Sequence, residues 1–223
     1  MRTAYIFDAY GTLFDVHSAV HRHVEQIGPD ATRLSDIWRT KQLEYSWVCT
    51  LIGDYQDFWA LTEQALDFAM SKIGIRQKDL REQLLDAYRR LDCYPEVLAT
   101  LAALKAKGAK LGILSNGSTA MLQAAVSSAN LSGVFDNIWS VDAVREFKPA
   151  AAVYTMVTRQ WDLPASEVVF ISSNRWDIAG AAQFGFHAIW INRTNQTEEY
   201  RAHPPKHVLR SLAELISGTM PSE

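Results

Sequence analysis

Cysteine, long apolar runs and an excess of one charge are all scarce in this 223-residue sequence. Its two cysteines, Cys49 and Cys93, are too few and too far apart for a disulfide framework, so we expect a reducing, cytoplasmic setting. The sequence has no run of about 18 apolar residues, so we expect no membrane span. Asp8 interrupts the N-terminal segment before an apolar signal core could form, and we expect no secretion signal.

The charges nearly balance, with 22 Lys and Arg against 25 Asp and Glu and a net charge of −3. Proteins that bind the nucleic-acid backbone usually carry a basic excess, so we expect no nucleic-acid partner. The six histidines show no spacing typical of metal ligands. Hydrophobic residues make up 48% of the chain, which is ordinary for a globular protein with a core.

Short apolar segments alternate with amphipathic helical stretches along most of the chain. The predicted strands are 3–7, 110–114, 137–141, 168–171 and 187–191, and the predicted helices are 95–107, 119–129, 151–161, 176–184 and 208–216. Strands without strict polar–apolar alternation are typical of a parallel sheet that is covered on both faces. The pattern therefore predicts an α/β fold with a Rossmann-like, doubly wound parallel sheet.

Residues from about 16 to 92 break this alternation, because they show helical periods and no convincing strand. Apolar side chains between positions 34 and 48 recur every three or four residues, as on one face of a helix. We therefore predict an α/β core of residues 1–15 and 93–223. Residues 16–92 would form a helical cap inserted after the first strand.

Reactive side chains follow the predicted strands at the points where the strands end. They belong to Asp8, Ser115-Asn116-Gly117, Lys148-Pro149 and Ser172-Ser173-Asn174-Arg175-Trp176-Asp177. In open parallel sheets, ligands bind outside the carboxyl ends of the strands. The sequence thus predicts a crevice that holds two carboxylates, one ammonium group and several neutral donors.

Four segments resemble the motifs of the haloacid dehalogenase superfamily, in the order found in that family. They are Phe7-Asp8-Ala9-Tyr10-Gly11-Thr12-Leu13-Phe14-Asp15, Ser115-Asn116-Gly117, Phe147-Lys148-Pro149 and residues 172–177. Most of the superfamily are phosphatases that use Mg²⁺ to offset phosphoryl charge. Tyr10 and Ser173 stand where such phosphatases carry acidic residues of the magnesium site. The resemblance is therefore to the metal-independent L-2-haloacid dehalogenases, and it implies neither a metal nor another cofactor.

The resemblance implies roles for individual residues. Asp8 is expected to be the nucleophile that forms an ester, and Arg39 to receive the departing halide. Asp177, assisted by Lys148, is expected to activate the hydrolytic water, while Thr12 positions the Asp8 carboxylate. The residues expected to bind or surround the substrate are Ala9, Tyr10, Arg39, Leu43, Phe58, Ser115, Asn116, Tyr154, Ser172, Asn174 and Trp176.

Several of these expectations are more specific. Ser115 and Asn116 would bind the substrate carboxylate together with the Ala9-Tyr10 turn, and Tyr154 would hold Lys148 or one end of the substrate. Two positions depart from the family pattern. Thr40 stands where some dehalogenases carry a glutamine near the halide, and the side chain at position 175, an arginine, is bulkier than usual. These departures leave the halogen preference and the accepted chain length open.

The expected reaction converts short-chain L-2-haloalkanoic acids into D-2-hydroxyalkanoic acids, with inversion at the α-carbon. The expected partners are the haloacid, water and halide, and the resemblance also implies a homodimer. Three alternatives are a Mg²⁺-dependent phosphatase, a fluoroacetate-type dehalogenase and a non-catalytic binding module. The presence of Asp8, Lys148 and Asp177 together argues against the binding module.

Overall fold

The computed structural model describes residues 4–217, and these residues form one sheet of six parallel strands. The strands are β1 (Ala4–Phe7), β2 (Lys110–Ser115), β3 (Asn137–Ser140), β4 (Val168–Ser172), β5 (His187–Ile191) and β6 (His207–Leu209). Their order across the sheet is β3-β2-β1-β4-β5-β6, so the chain reverses its direction of winding at β1. The predicted doubly wound α/β fold is confirmed.

Helices connect these strands and cover the sheet. They are α1 (Ser18–His21), α2 (Val24–Ile27), α3 (Ala31–Ile52), α4 (Phe58–Ile73), α5 (Lys78–Arg89), α6 (Val97–Ala106), α7 (Thr119–Ser128), α8 (Ala151–Trp161) and α9 (Arg175–Phe184). The predicted helices at 95–107, 119–129, 151–161 and 176–184 agree with α6 to α9 within two residues at each end. No helix among residues 4–217 is both long enough and apolar enough to cross a membrane.

The predicted helix at 208–216 is wrong. His207–Leu209 instead forms the edge strand β6, and Leu212–Leu215 forms a short 3-10 helix that Ser211 caps. The amide of Lys206 donates to Ala188 (2.8 Å), and the amide of Asn192 donates to Leu209 (2.7 Å), so β5 supplies backbone partners that a sequence pattern does not reveal. The first residue of the predicted strand 3–7, Thr3, lies outside the described residues.

The segment between β1 and α6 is helical, as the periodicity predicts, and α3 packs against α4. Trp38 on α3 donates its indole N–H to the carbonyl of Thr62 on α4 (2.9 Å). Gly53, with a φ of +70°, ends α3, and Asp57 caps the first turn of α4. The domain boundaries near residues 15 and 92 stay a prediction.

Polar contacts hold this helical segment over the carboxyl edge of the sheet. The Thr50 hydroxyl accepts from the amide of Phe147 (2.9 Å), and the Tyr55 hydroxyl donates to Asp142 (2.6 Å). Both contacts join the α3–α4 region to loops that follow β3. The crevice predicted at the strand ends is therefore covered by α3.

Candidate active site

Asp8 lies directly after the central strand β1, where its two carboxylate oxygens have different surroundings. Oδ2 accepts hydrogen bonds from Thr12 Oγ1 (2.9 Å), Asn174 Nδ2 (2.8 Å) and Ser172 Oγ (3.3 Å). Within residues 4–217, Oδ1 has one such partner, Lys148 Nζ at 3.1 Å. The three donors hold Oδ2 in place, which leaves Oδ1 as the oxygen with lone pairs free for attack.

The tight turn after Asp8 brings Thr12 back to it. Gly11 has a φ of +92°, a conformation that glycine adopts without the steric cost of a Cβ atom. Ser173 joins this turn to the end of β4, since its amide donates to Thr12 Oγ1 (2.8 Å) and its hydroxyl to the Gly11 carbonyl. Ser173, which stands where phosphatases of this family have an acid, is therefore part of the framework around Asp8.

Lys148 is fully buried between two carboxylates. Its ammonium group lies 3.1 Å from Asp8 Oδ1 and 2.8 Å from Asp177 Oδ2. Its backbone amide donates to Asn116 Oδ1 (2.9 Å), which ties this loop to the end of β2. A buried charge is costly unless it is paired, so the ammonium group must stay within reach of both carboxylates. These contacts therefore fix its position.

Asp177 lies in the first turn of α9 and is fully buried. Burial raises the pKa of this carboxyl to about 6, with a further increase from Asp8, while Lys148 and Tyr154 act in the opposite direction. The Tyr154 hydroxyl donates to Asp177 Oδ1 (2.8 Å) and also contacts its carbonyl oxygen (3.2 Å). A carboxylate with this pKa is ionised at neutral pH and still basic enough to take a proton from water.

Arg39 reaches the site from α3, and its guanidinium group contacts neutral acceptors. Nη1 donates to Gln42 Oε1 (2.8 Å), and Nη2 donates to the Tyr10 carbonyl (3.1 Å) and to Asn174 Oδ1 (3.4 Å). In the described part of the chain, Arg39 forms no ion pair. Its permanent charge is therefore available to an anion.

A small cavity of about 10 Å³ lies between Asp8 and α3. Its lining residues are Asp8, Tyr10, Arg39, Leu43, Phe58, Ser115, Asn116 and Trp176. This volume has room for about one water molecule, so the site is in a closed state. The Asn116 Nδ2 atom is buried and has no hydrogen-bond partner among residues 4–217, which leaves it free to donate to a bound ligand.

The structure thus brings together most of the residues that the sequence predicts. Thr12, Ser172 and Asn174 contact Asp8. Two others lie elsewhere. Ala9 and Tyr154 do not line the cavity: the Ala9 carbonyl accepts amides within its own turn, and Tyr154 contacts Asp177 rather than Lys148 or the cavity.

The two departures from the family pattern also point away from Asp8. Thr40 is exposed on α3. The guanidinium group of Arg175 contacts Glu198 and the carbonyls of Tyr200 and His203.

Sequence reasoning missed Gln42, which is buried and contacts Arg39 directly. The available signal was a glutamine three residues after Arg39, since that spacing places both side chains on one helical face.

The donors around Asp8 do not fit Mg²⁺, which prefers oxygen ligands. N–H groups of Lys148 and Asn174 contact the carboxylate, and the Tyr10 carbonyl accepts from Arg39 and Asn174. Among the described residues, no cluster of three or more His, Cys, Asp or Glu side chains could hold a metal ion.

Comparison with known proteins identifies the family of this chain. Residues 3–185 match the family of hydrolases described as haloacid dehalogenase-like hydrolase. The chain belongs to this family. The resemblance seen in the four sequence motifs is therefore confirmed, together with the α/β core that it implies.

Individual members of the family match over nearly the whole chain. (S)-2-Haloacid dehalogenase 1 from Pseudomonas sp. (strain CBS-3) is 49% identical, over 95% of this chain and 94% of the relative. A dehalogenase crystal structure with an intermediate complex has a TM-score of 0.94 and 44% identity, covering 96% of this chain and 95% of the other. The L-2-haloacid dehalogenase of Xanthobacter autotrophicus with covalently bound chloropropionic acid has a TM-score of 0.89 and 36% identity, covering 97% of both chains.

Proposed function

We propose that this protein hydrolyses short-chain L-2-haloalkanoic acids to D-2-hydroxyalkanoic acids through an ester on Asp8, without a metal. One observation carries the proposal: the Asp8 carboxylate lines the same closed cavity as a guanidinium group that has no anionic partner among residues 4–217. The relatives named (S)-2-haloacid dehalogenase support the substrate class. The related structure with covalently bound chloropropionic acid supports the ester.

In the first half-reaction, Asp8 Oδ1 attacks the α-carbon of the substrate in line with the carbon–halogen bond. A carbon–oxygen bond forms, the carbon–halogen bond breaks, and its electron pair leaves with the halide. Arg39 stabilises the charge that develops on the halide, an effect that is strong in a closed site. Because the displacement occurs once and in line, the α-carbon is inverted.

In the second half-reaction, water attacks the Cγ atom of the Asp8 ester. Asp177 takes the proton of this water, and Lys148 stabilises the negative charge that develops on the ester oxygens. The Cγ–Oδ1 bond then breaks as the departing oxygen takes up the proton held by Asp177, so the product hydroxyl carries the original Asp8 Oδ1. The water oxygen stays on Asp8, whose carboxyl releases its remaining proton to solvent. The short path from Asp8 through Lys148 to Asp177 supports this division of roles.

The substrate carboxylate is bound by Ser115 and the free Nδ2 group of Asn116 at the end of β2. Tyr10, Leu43, Phe58 and Trp176 enclose the halogen and the alkyl group. These side chains exclude water from a carboxylate nucleophile, which is weak when hydrated. The cavity must widen to admit the substrate.

The first test is halide release from L- and D-2-chloropropionate in the presence of EDTA. We expect release from the L enantiomer, loss of that activity in Asp8→Ala, and no change in the control Asp79→Ala, which alters an exposed residue of α5. A single turnover with excess enzyme in ¹⁸O-labelled water should label Asp8 rather than the product. Absence of halide from chloro and bromo substrates, with Mg²⁺-dependent release of phosphate from esters, would establish the phosphatase alternative instead.

We also propose that the protein is a cytoplasmic homodimer. Val48, Leu51 and Ile52 at the end of α3 are 47%, 84% and 67% exposed, and they form an apolar surface suited to a second copy. Sedimentation equilibrium of the wild type and of Leu51→Glu/Ile52→Glu tests the dimer, since the charged variant should be monomeric. Unchanged sedimentation of that variant would exclude this surface, and cell fractionation tests the location.

A further inference from the structure

Gln42 and Thr62 form a buried link between Arg39 and the wall of the cavity. Gln42 is 1% exposed and Thr62 is fully buried. Gln42 Oε1 accepts from Arg39 Nη1 (2.8 Å), and Gln42 Nε2 donates to Thr62 Oγ1 (2.7 Å). Thr62 Oγ1 in turn donates to the carbonyl of Phe58 (2.6 Å), a residue that lines the cavity.

The directions of these hydrogen bonds depend on one another. A threonine hydroxyl has one proton, and Thr62 gives it to the Phe58 carbonyl, so Thr62 Oγ1 can only accept from Gln42. Gln42 must therefore turn its NH₂ group toward Thr62 and its oxygen toward Arg39. The other partner, the Tyr88 hydroxyl, contacts both amide atoms of Gln42 (3.1 and 3.2 Å) and can donate or accept, so it does not select an orientation.

We infer that Gln42 and Thr62 are positioning residues that orient the Arg39 guanidinium group toward the departing halide without neutralising it. This inference rests on the proposed dehalogenation. A neutral amide oxygen holds Nη1 at hydrogen-bond distance and leaves the positive charge of Arg39 unpaired. A carboxylate at position 42 would hold the guanidinium group equally well, but it would compete with the halide for the charge.

The neighbourhood of Arg39 is consistent with this role, because its other acceptors are also uncharged. They are the Tyr10 carbonyl and Asn174 Oδ1. Burial raises the pKa of Tyr88, so its hydroxyl stays neutral beside Gln42. If Thr62 loses its hydroxyl, Gln42 Nε2 loses an acceptor, and the amide that holds Nη1 is less firmly placed.

The test compares Thr62→Val with Thr62→Ser, and Gln42→Glu with Gln42→Met, in rapid-quench experiments. The rapid-quench experiments measure the rate of halide release and the rate of ester hydrolysis separately, with L-2-chloro- and L-2-bromopropionate as substrates. We expect Thr62→Val and both Gln42 variants to slow halide release by about 10- to 100-fold, since small misplacements of a catalytic group have effects of that size. Chloride, the poorer leaving group, should be affected more than bromide. Ester hydrolysis should stay within about threefold of the wild type, and Thr62→Ser should restore most of the rate.

Chloride inhibition gives an independent measurement on the same variants. Gln42→Glu should raise the inhibition constant for chloride, because the new carboxylate pairs with Arg39. Equal losses for chloro and bromo substrates, or equal losses in both half-reactions, would overturn the inference and leave a purely structural role. A wild type that releases no halide would instead overturn the proposed function, so the two failures are distinguishable.

Discussion

The charged side chains at the sheet edge have ionic partners, whereas the charged side chain that α3 contributes to the site has uncharged partners. At the sheet edge, Lys148 lies between Asp8 and Asp177, so each buried charge has an ionic partner. On α3, the partly buried Arg39 has uncharged acceptors. The total charge around Asp8 therefore depends on two separate elements of the fold.

This difference suggests a division of labour. In the proposed reaction, the paired charges at the sheet edge keep one arrangement through nucleophilic attack and proton transfer, and pairing provides that rigidity. In the same proposed reaction, the charge on α3 receives an anion that forms only during the displacement, so pairing it beforehand would weaken that interaction. Rigid pairing thus suits the covalent steps, and an unpaired cation suits the leaving group.

The largest expected effect is that of Lys148→Met, which removes the shared partner of two buried carboxylates. The rate should fall by at least about 10⁴-fold, as for other core members of a catalytic unit. The free energy of unfolding should fall by about 3–5 kcal/mol, because a broken buried pair leaves charge uncompensated. Urea denaturation measures the second effect. Lys105→Met is the control, since its pair with Asp136 is 36% exposed on each side and should contribute less than about 1 kcal/mol.

Arg39→Gln should lower the rate of the reaction strongly and change the stability of the fold little. We expect kcat to fall by about 10²- to 10³-fold, as when a donor to a developing anion is removed. The free energy of unfolding should change by less than about 1 kcal/mol, because Arg39 has no ionic partner in the described part of the chain that its removal would leave unpaired. Arg33→Gln, an exposed change on the same helix, is the matched control. A stability loss as large as that of Lys148→Met would contradict the comparison.

Tyr154→Phe should change the pH dependence more than the maximal rate. Asp177 must be ionised to accept a proton, and its pKa of about 6 predicts that ester hydrolysis slows as the pH falls through that value. The Tyr154 hydroxyl stabilises the ionised form, so its removal should move this acid limb to higher pH. The plateau rate should stay within about tenfold, since the base itself remains. Tyr45→Phe is the control. If the acid limb of Tyr154→Phe stays at the same pH as in the wild type, Asp177 is not the base.

The smallest effect on the rate is expected for Arg175→Ala, although position 175 lies inside the fourth motif. Arg175 bonds Glu198 and two carbonyls, away from Asp8, so kcat and the ratio of chloride to bromide release should stay within about threefold. The free energy of unfolding should fall by about 1–3 kcal/mol, because hydrogen bonds of a charged group are lost. Asn174→Ala, one residue earlier, should be much slower because it removes a donor to Asp8 Oδ2. A changed halide ratio in Arg175→Ala would show that position 175 does influence the cavity.

Local patterns predicted the strand-end residues well and the C-terminal segment poorly. Asp8 and Asp177 follow β1 and β4 because buried parallel strands have a recognisable composition and end at a common edge. The segment 208–216 looks amphipathic, yet the free backbone edge of β5 draws Val208 into β6. Backbone pairing with a distant strand leaves no periodic signal in the residues that join it.

By itself, the sequence determined the α/β class, the helical insertion and which side chains lie at the ends of the strands, since these depend on local periodicity and on motifs. The tertiary structure alone decided which atoms those side chains present to one another. It engages Oδ2 of Asp8 with three donors, places Tyr154 on Asp177, and turns the oxygen of Gln42 toward Arg39. These outcomes depend on hydrogen-bond directions across elements far apart in the chain, and such directions exist only after the elements have packed.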